Sequence, residues 1–530
     1  MTMIAADCLI LGGGLSGWMA ARECVLAGLR PLIVHDGLGA SPWVHGFNVP
    51  LHPEDSTACF LADTLTSGQG LSRPPLADAL CGDALDIFDM LQSMGLSFNR
   101  EGDGYQLLKP LGSSYPRVAS IGNETGTAIL NALRAQLRAS VDEMTECRAL
   151  RLITENGRVA GALCYNRKQQ TWLRVTARAF VLACGGYCGI FPVSTNKWDS
   201  GGDGPAMAYE AGARLCDMEF IQYEPSAALW PASLIGTSMI TTLLFEGAVL
   251  RNRAGERFML RYGPEGERVG KDLLSRRIAA EVAAGRGTEH GGVYFDATAV
   301  GRERLESGYA MYMERYRRVG IDLAAEWIEL GPAPHTSLGG VMIDENGKTD
   351  VPGLYACGEV TGGLHGANRI GGNAGLETLV FGRRAGRSAA RFAKENDPLP
   401  AQEEPVRYGA QPCRDTLQAL RQAMRQALQS ALGPVRTQQA MAEAQALLGG
   451  LLAQATGLCG HDAQEEFERL RLVNDLTTAR MTVLSAFTRD DTLGCHCRSD
   501  CPDAAAQPYR VVVERQDFGA MACRKEQIQQ

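Results

Sequence analysis

The sequence predicts an α/β protein. It has a Rossmann-like dinucleotide-binding domain, an inserted second domain and a C-terminal helical bundle. Three observations predict this. Residues 7–36 run DCLIL, GGGLSG, WMAARECVLAGL and RPLIVHD, which reads as strand, glycine turn, helix, strand. A second strand-and-glycine block, TDVPGLYACGEVTGG, begins at residue 349. A Pro/Glu-rich stretch over 393–412 then gives way to runs rich in Ala, Leu, Gln and Arg. At 530 residues the chain is too long for a single core. The expected division is 1–225 with 335–395 for the first domain, 226–334 for the insert and 405–530 for the C-terminal part.

Each element has a local reason. Gly12, Gly14 and Gly17 form G-x-G-x-x-G between a strand and a helix. The first glycine allows the tight turn, the second lets a pyrophosphate approach the backbone, and the third packs helix on strand. The helix N-terminus then faces the phosphates. A ribose-binding acid belongs at the end of the second strand, where His35 and Asp36 stand side by side. Either one is a candidate, and so is neither.

The run LADALCGDALDIFDMLQSMG is helical in pattern, and 124–140 reads as an amphipathic helix with a Thr/Gly start. RALRLITENGRVAGALCYN is a hairpin around Glu155-Asn156-Gly157. RAFVLACGG is a buried strand ending in glycines. Residues 226–334 are rich in Arg and Glu and carry a helix around DLLSRRIAAEVAAG. Helices over 413–431, 436–456 and 463–488 make a three-helix bundle. PYRVVVERQD closes the chain as one strand.

Composition narrows the function. Hydrophobic residues are 45% and charged residues 21%, ordinary for a globular protein, and the net charge is −8. That balance argues against nucleic acid and against anionic membranes as partners. MTMIAADCLILGGG has no basic region ahead of its strand, and no run of eighteen apolar residues occurs. No signal peptide, no transmembrane segment and a cytoplasmic location are therefore expected. The sixteen Cys are expected as reduced thiols. The densest group is Cys495, Cys497 and Cys501, with His496 between, and it lacks the paired C-x-x-C spacing of a zinc site.

Two glycine blocks far apart in the chain, the second ending at Gly358-Glu359, fit an extended FAD better than a compact NAD site. Further matches are extensive. They comprise SGGDGPAMAYEAGARLCDMEFIQ, GERFM at 255–259, HTSLGGVMID at 335–344, GLYACGEVTGGLHGANRIGGNAGLETLVFGRRAG and GCHCRSDCP. In these stretches, in order and over nearly its whole length, the chain resembles the flavoprotein family of succinate dehydrogenase, fumarate reductase and L-aspartate oxidase. The resemblance implies FAD and makes the 226–334 insert an α+β capping domain. It implies hydride exchange between flavin N5 and a carbon beside a carboxylate or carbonyl. It also implies cofactor contacts at Gly12, Gly14, Leu15, Ser16, Gly17, His35, Asp36, Ser41, Gly46, Ala149, Asp203, Glu359, Arg369, Ala374, Gly375 and Leu376. The family's covalent-flavin histidine slot falls on Pro42, so noncovalent FAD is expected, with His45 three residues on as the alternative tether. Cys495 and Cys497 fall where relatives carry alanine, and Cys501 where they carry an aromatic, so they read as packing substitutions and no metal site is expected.

The resemblance also supplies a substrate site. His335 matches the family's substrate histidine, with a satisfied structural histidine as the plain alternative. Arg369 matches the carboxylate-clamping arginine, a task suited to a planar guanidinium. Its alternative is a flavin-supporting role. Three positions depart. Lys271-Asp272 stands where the family has a proton-shuttling Arg-Asp. Lysine is a credible proton donor there, or an ordinary helix-start residue. Ile240-Thr241 stands where the family's second carboxylate anchor, Thr-Glu, belongs, unless Glu246 takes that place. Glu224-Pro225-Ser226 replaces His-Pro-Thr. An ionised Glu224 repels a substrate carboxylate, so the expected substrate is a small organic acid or carbonyl other than plain fumarate or succinate. Glu224 is open to four roles: accepting from a substrate hydroxyl, amine or amide, pairing with Lys271, acting as a base, or standing as a solvated loop charge. Aspartate-oxidase-like amine oxidation, and work with a separate iron–sulfur or ferredoxin-like partner, are the alternative functions. The chain's own Cys spacing holds no cluster.

Overall fold

The protein is described by a computed structural model covering residues 2–197, 199–401, 406–501, 507–516 and 519–528. Part of the 393–412 linker, Pro502 of GCHCRSDCP and the last residue of the expected closing strand lie outside the described residues.

The opening strand Thr2–Leu11 pairs in parallel with Pro31–Val34 on one side and Thr171–Leu182 on the other. Asp142–Met144 extends the sheet beyond Pro31–Val34. Cys8 to Leu11 and Leu32 to Val34 are all buried, as strands covered on both faces must be. The strand Thr171–Leu182 meets Arg158–Asn166 along its first half and Leu354–Ala356 along its last three residues. The late glycine block thus returns to the same sheet as the first. Cys147–Glu155 completes it as the partner of Arg158–Asn166. Their turn places Asn156 at φ 52° and Gly157 at φ 75°. Two consecutive left-handed residues are what a two-residue hairpin of this twist requires.

One expected helix is two. Pro74–Gly82 and Ala84–Ser93 break at Asp83, whose carboxylate is held by Arg383 and Arg384. That tertiary ion pair overrides a continuous helical pattern.

A second core gathers Leu250, Phe258, Leu274, Ile278, Phe295, Leu305 and Leu330. Its antiparallel sheet runs in the order Ile221–Ala228, Ile328–Ser337, Val293–Asp296, Val249–Arg251. The expected divisions at 225/226 and 334/335 fall inside its first two strands. The helix Lys271–Glu281 packs on both of these strands.

Helices Arg414–Ala431, Gln438–Gly457 and Ala463–Thr488 follow the linker. The tail is a hairpin rather than one strand: Tyr509–Arg515 pairs with Met521–Gln527. The second strand alternates weakly and is largely polar, so its pairing comes from backbone hydrogen bonds the pattern does not announce. Among the described residues no helix is long and apolar enough to cross a membrane.

Candidate active site

The glycine turn is built as a cradle. A side chain at Gly12 (φ 134°) would place its Cβ 2.0 Å from the Ala183 carbonyl oxygen, and one at Gly17 would lie 2.0 Å from the Gly12 oxygen. Gly14 caps the helix Leu15–Leu26 without a side-chain bond, and its first turn has no acid. Apart from Leu15, its first amides are left for an anion. Leu15 N–H donates to Ser41 Oγ at 2.9 Å, which ties the 41–47 loop to the turn. A second helix, Asn373–Glu395, also starts on an uncapped glycine, Gly372. It carries Ala374, Gly375 and Leu376 at its first turn. A Cβ on Gly375 would meet the Gly46 oxygen at 2.9 Å, so Gly46 and this helix end are one wall.

The rim is polar. His35 lies against Gly13, and its ring nitrogens approach Gly37 O at 3.0 Å and Glu143 at 2.9 Å. Asp36 accepts from Arg167; its buried Oδ2 faces Arg148 Nη1 at 3.7 Å and has no hydrogen-bond partner among the described residues. It has room for a hydrogen-bond donor, and a ribose hydroxyl is one. Ala149 is buried on the strand leading away from His35. Ser16 is buried under Gly358. Asp203 accepts from Arg148 at 2.6 Å and Asn474 at 2.7 Å, so both its oxygens already have protein donors. Glu359 accepts from Ser337 N–H and Asn196, each at 3.1 Å, and burial raises its pKa. The cradle, the two bare helix ends and the buried Asp36 oxygen fit FAD.

The residues expected to meet the substrate gather around two paired strands, which carry Glu224 and His335. Gln222 and Glu224 alternate along Ile221–Ala228 and share a face. Opposite them the register slips, with Gln222 facing Thr336 and Tyr223 facing Pro334, so His335 is the extra residue of a bulge. Bulges re-aim a side chain. A second slip follows Glu224, at Pro225 and Ser226, where proline has no N–H for the ladder. The local chemistry of the Glu-Pro pair thus ends regular pairing at the site.

Glu224 is 4% exposed. Its Oε1 accepts from Ser226 at 2.8 Å and its Oε2 from Lys271 Nζ at 2.5 Å. Of the readings open for Glu224, the solvated loop charge is excluded. Burial pushes its carboxyl up, but Lys271 and His335 together bring it below the usual carboxylate value. Lys271 opens the helix Lys271–Glu281 and its side chain is 43% exposed. Burial, with Arg369 and Lys271, lowers the His335 imidazole to about 4 against the pull of Glu224. Its Nδ1 lies 2.9 Å from Thr195 Oγ1. Arg369 donates through Nε and Nη2 to Gln222 Oε1 at 3.2 and 3.0 Å. Burial lowers its pKa, opposed by Glu359 and Glu377.

Several neighbours escaped the sequence reading. Gln222, Thr195 and Ser226 orient Arg369, His335 and Glu224, and only the position of Gln222 two residues before Glu224 hinted at any of them. His45 acts electrostatically on His335, and burial and Lys271 lower its own pKa. Glu246 is not a carboxylate anchor, because it accepts from Arg304 and Tyr309. In the Cys group, Cys495 Sγ approaches Asn368, Cys501 Sγ approaches the Asp490 carbonyl, and His496 meets Arg436. Among the described residues no three His, Cys, Asp or Glu side chains are gathered to hold a metal.

Comparisons with known proteins agree with this geometry. Residues 7–374 match the FAD binding domain family, and residues 421–522 match the fumarate reductase flavoprotein C-terminal family. The chain is 34% identical to one subunit of the fumarate reductase (CoM/CoB) of Methanothermobacter marburgensis, over 96% of each chain. It is 34% identical to L-aspartate oxidase of Caulobacter vibrioides, over 93% of each. It superposes on Mycobacterium smegmatis Sdh1, solved in complex with UQ1, with a TM-score of 0.90 and 28% identity, covering 100% of this chain and 95% of that one. The chain therefore belongs to the FAD-dependent flavoprotein family of fumarate reductase, succinate dehydrogenase and L-aspartate oxidase, and is an FAD-dependent oxidoreductase.

Proposed function

We propose that the protein interconverts a C–C single and double bond beside a carboxylate or carbonyl, on an acid other than plain fumarate or succinate. The observation that carries this reading is the Glu224–Lys271 pair beside His335 and Arg369. FAD, when bound, supplies two-electron exchange. The remaining tasks fall to the side chains.

Arg369 offers a planar guanidinium to one substrate carboxylate, oriented by Gln222. Polarising that group favours the negative charge that develops on it. His335, uncharged near neutral pH, adds a hydrogen bond without adding charge. Lys271 carries the proton to or from the neighbouring carbon, and its partial exposure lets it exchange with solvent. Glu224 holds it in place. A second substrate carboxylate finds the Lys271 charge already balanced by Glu224, and Ile240-Thr241 offers no ionic anchor. This is the reason to set plain dicarboxylates aside.

The test is anaerobic mixing of the FAD-loaded protein with a panel of saturated acids, followed by flavin absorbance. Bleaching by one of them, with succinate ineffective, supports the reading. Bleaching by succinate alone overturns it. A second reading is oxidation of an amino acid, for which the likeness to L-aspartate oxidase speaks, with Glu224 free to meet an ammonium group. Bleaching by an amino acid and rapid reoxidation by air without another acceptor favours it. The M. marburgensis relative is named as one subunit of its enzyme, which supports a separate electron-carrying partner, such as an iron–sulfur protein.

A further inference from the structure

The strand Ile221–Ala228 organises more than the residues already assigned. Its alternate side chains lead to three cations in turn. Gln222 accepts from Arg369. Glu224 accepts from Lys271. The single Ser226 hydroxyl proton lies between Glu224 Oε1, at 2.8 Å, and the Met239 carbonyl, at 2.6 Å, and the Ser226 carbonyl accepts from Met239 N–H. The residue next to Met239, Ser238, accepts at its carbonyl from Arg315 Nη1 at 3.0 Å. The row therefore runs from Arg369 through Lys271 to Arg315.

The far end is rich in donors. Arg315 and Tyr312 lie on the helix Ala310–Arg317, with the guanidinium 5.3 Å from the Tyr312 ring centre. Arg317 and Arg318 on the same stretch pair with Glu314, whereas Arg315 has no carboxylate partner among the described residues. The Tyr312 hydroxyl likewise has no hydrogen-bond partner among them. Burial raises the Tyr312 phenol, Arg315 opposes this, and the Glu224 charge adds to it, so Tyr312 and Glu224 act on one another.

The two ends meet the sheet five residues apart: Arg369 at Gln222, and Arg315 at Ser238, which bridges to Ala227. At roughly 3.3 Å per residue that is on the order of 15 Å of strand, shortened by the slip at Pro225 and Ser226. The carboxyl carbons of a four-carbon diacid are three bonds apart, roughly 4 Å. Resting on the function proposed above, we infer that Tyr312 and Arg315 form a second oxyanion subsite, and that the substrate is an extended acid carrying a carboxylate or similar oxyanion at its far end. This anchor takes over the task of the missing Thr-Glu pair, supplied from the helix Ala310–Arg317.

The test uses saturated α,ω-diacids as probes, with dissociation constants read from perturbation of the bound flavin's absorbance. Suberate should bind at least tenfold tighter than succinate. Arg315→Gln should bring that ratio to within about threefold of one, Arg315→Lys should restore part of it, and Tyr312→Phe should lower it severalfold. A wild-type ratio near one, no perturbation by any diacid, or an Arg315→Gln ratio equal to the wild-type one overturns the inference. Thermal melting and flavin content check that each variant is folded. Arg369→Gln separates the two proposals. If it weakens both diacids while Arg315→Gln changes nothing, only the far subsite falls. If Arg369→Gln leaves both unchanged, the proposed site itself falls.

Discussion

Lys271 Nζ lies 2.5 Å from Glu224 Oε2, and joins a helix start to a strand interrupted by proline. The pair balances its own charge in a slot where the resemblance implies a histidine, and it gives the carboxylate there a partner. Removing one member exposes the other. Glu224→His frees Lys271 for a substrate carboxylate and should lower the KM for succinate or fumarate at least tenfold. Unchanged kinetic constants for every acid would return Glu224 to a structural role.

Lys271→Met tests the proton-transfer assignment. Loss of a positioned acid or base lowers kcat by about 10² to 10⁴. The same change leaves the buried Glu224 carboxylate with Ser226 alone, costing roughly 1–3 kcal/mol, nearer the lower figure because Lys271 is half exposed. A kcat within twofold of the parent's removes Lys271 from the chemistry.

His335 makes stability depend on pH. Its folded value of about 4 lies below the ordinary 6.5, so between these values the unfolded chain binds more protons. Stability from this group is complete above about pH 6.5 and is lost as pH falls toward 4. Glu224, held below its ordinary 4.5, adds its own loss only as pH falls through that lower range. The melting temperature should therefore decline from pH 6.5 to 5, and His335→Gln should flatten that decline. An equally steep decline in the variant would assign it elsewhere.

Arg369→Ala should abolish turnover while FAD stays bound, as read from the flavin absorbance of the purified protein. Gln222→Ala removes only the acceptor that orients the guanidinium and should cost on the order of tenfold in kcat/KM. Retained turnover in Arg369→Ala sinks the clamp.

Gly17→Ala drives a methyl group into the Gly12 carbonyl. It should purify with less than a tenth of the parent's flavin and a lowered melting temperature. Glu246→Gln is the control. Glu246 pairs with Arg304 and Tyr309 and bonds none of the proposed site residues, and an exposed pair of this kind is worth up to about 1 kcal/mol. Turnover should be unchanged.

Local pattern was enough for much of this molecule. The Gly12-Gly14-Gly17 turn, the Asn156-Gly157 hairpin and the three C-terminal helices follow from backbone conformation and periodicity, which act within a few residues. The motifs around His335 and Arg369 likewise carried the family from the sequence alone. Other features depend on residues far apart in the chain. The helix break at Asp83 needs Arg383 and Arg384. The polar tail strand Met521–Gln527 needs its partner's backbone. Glu224 had several open readings until folding buried it and brought Lys271 to its Oε2. Electrostatic energy depends on distance and desolvation, and neither is written in the spacing of residues 224 and 271. The sequence by itself determined the family and named the candidate residues. The tertiary structure alone decided which of their charges are paired, because pairing depends on distances that folding sets.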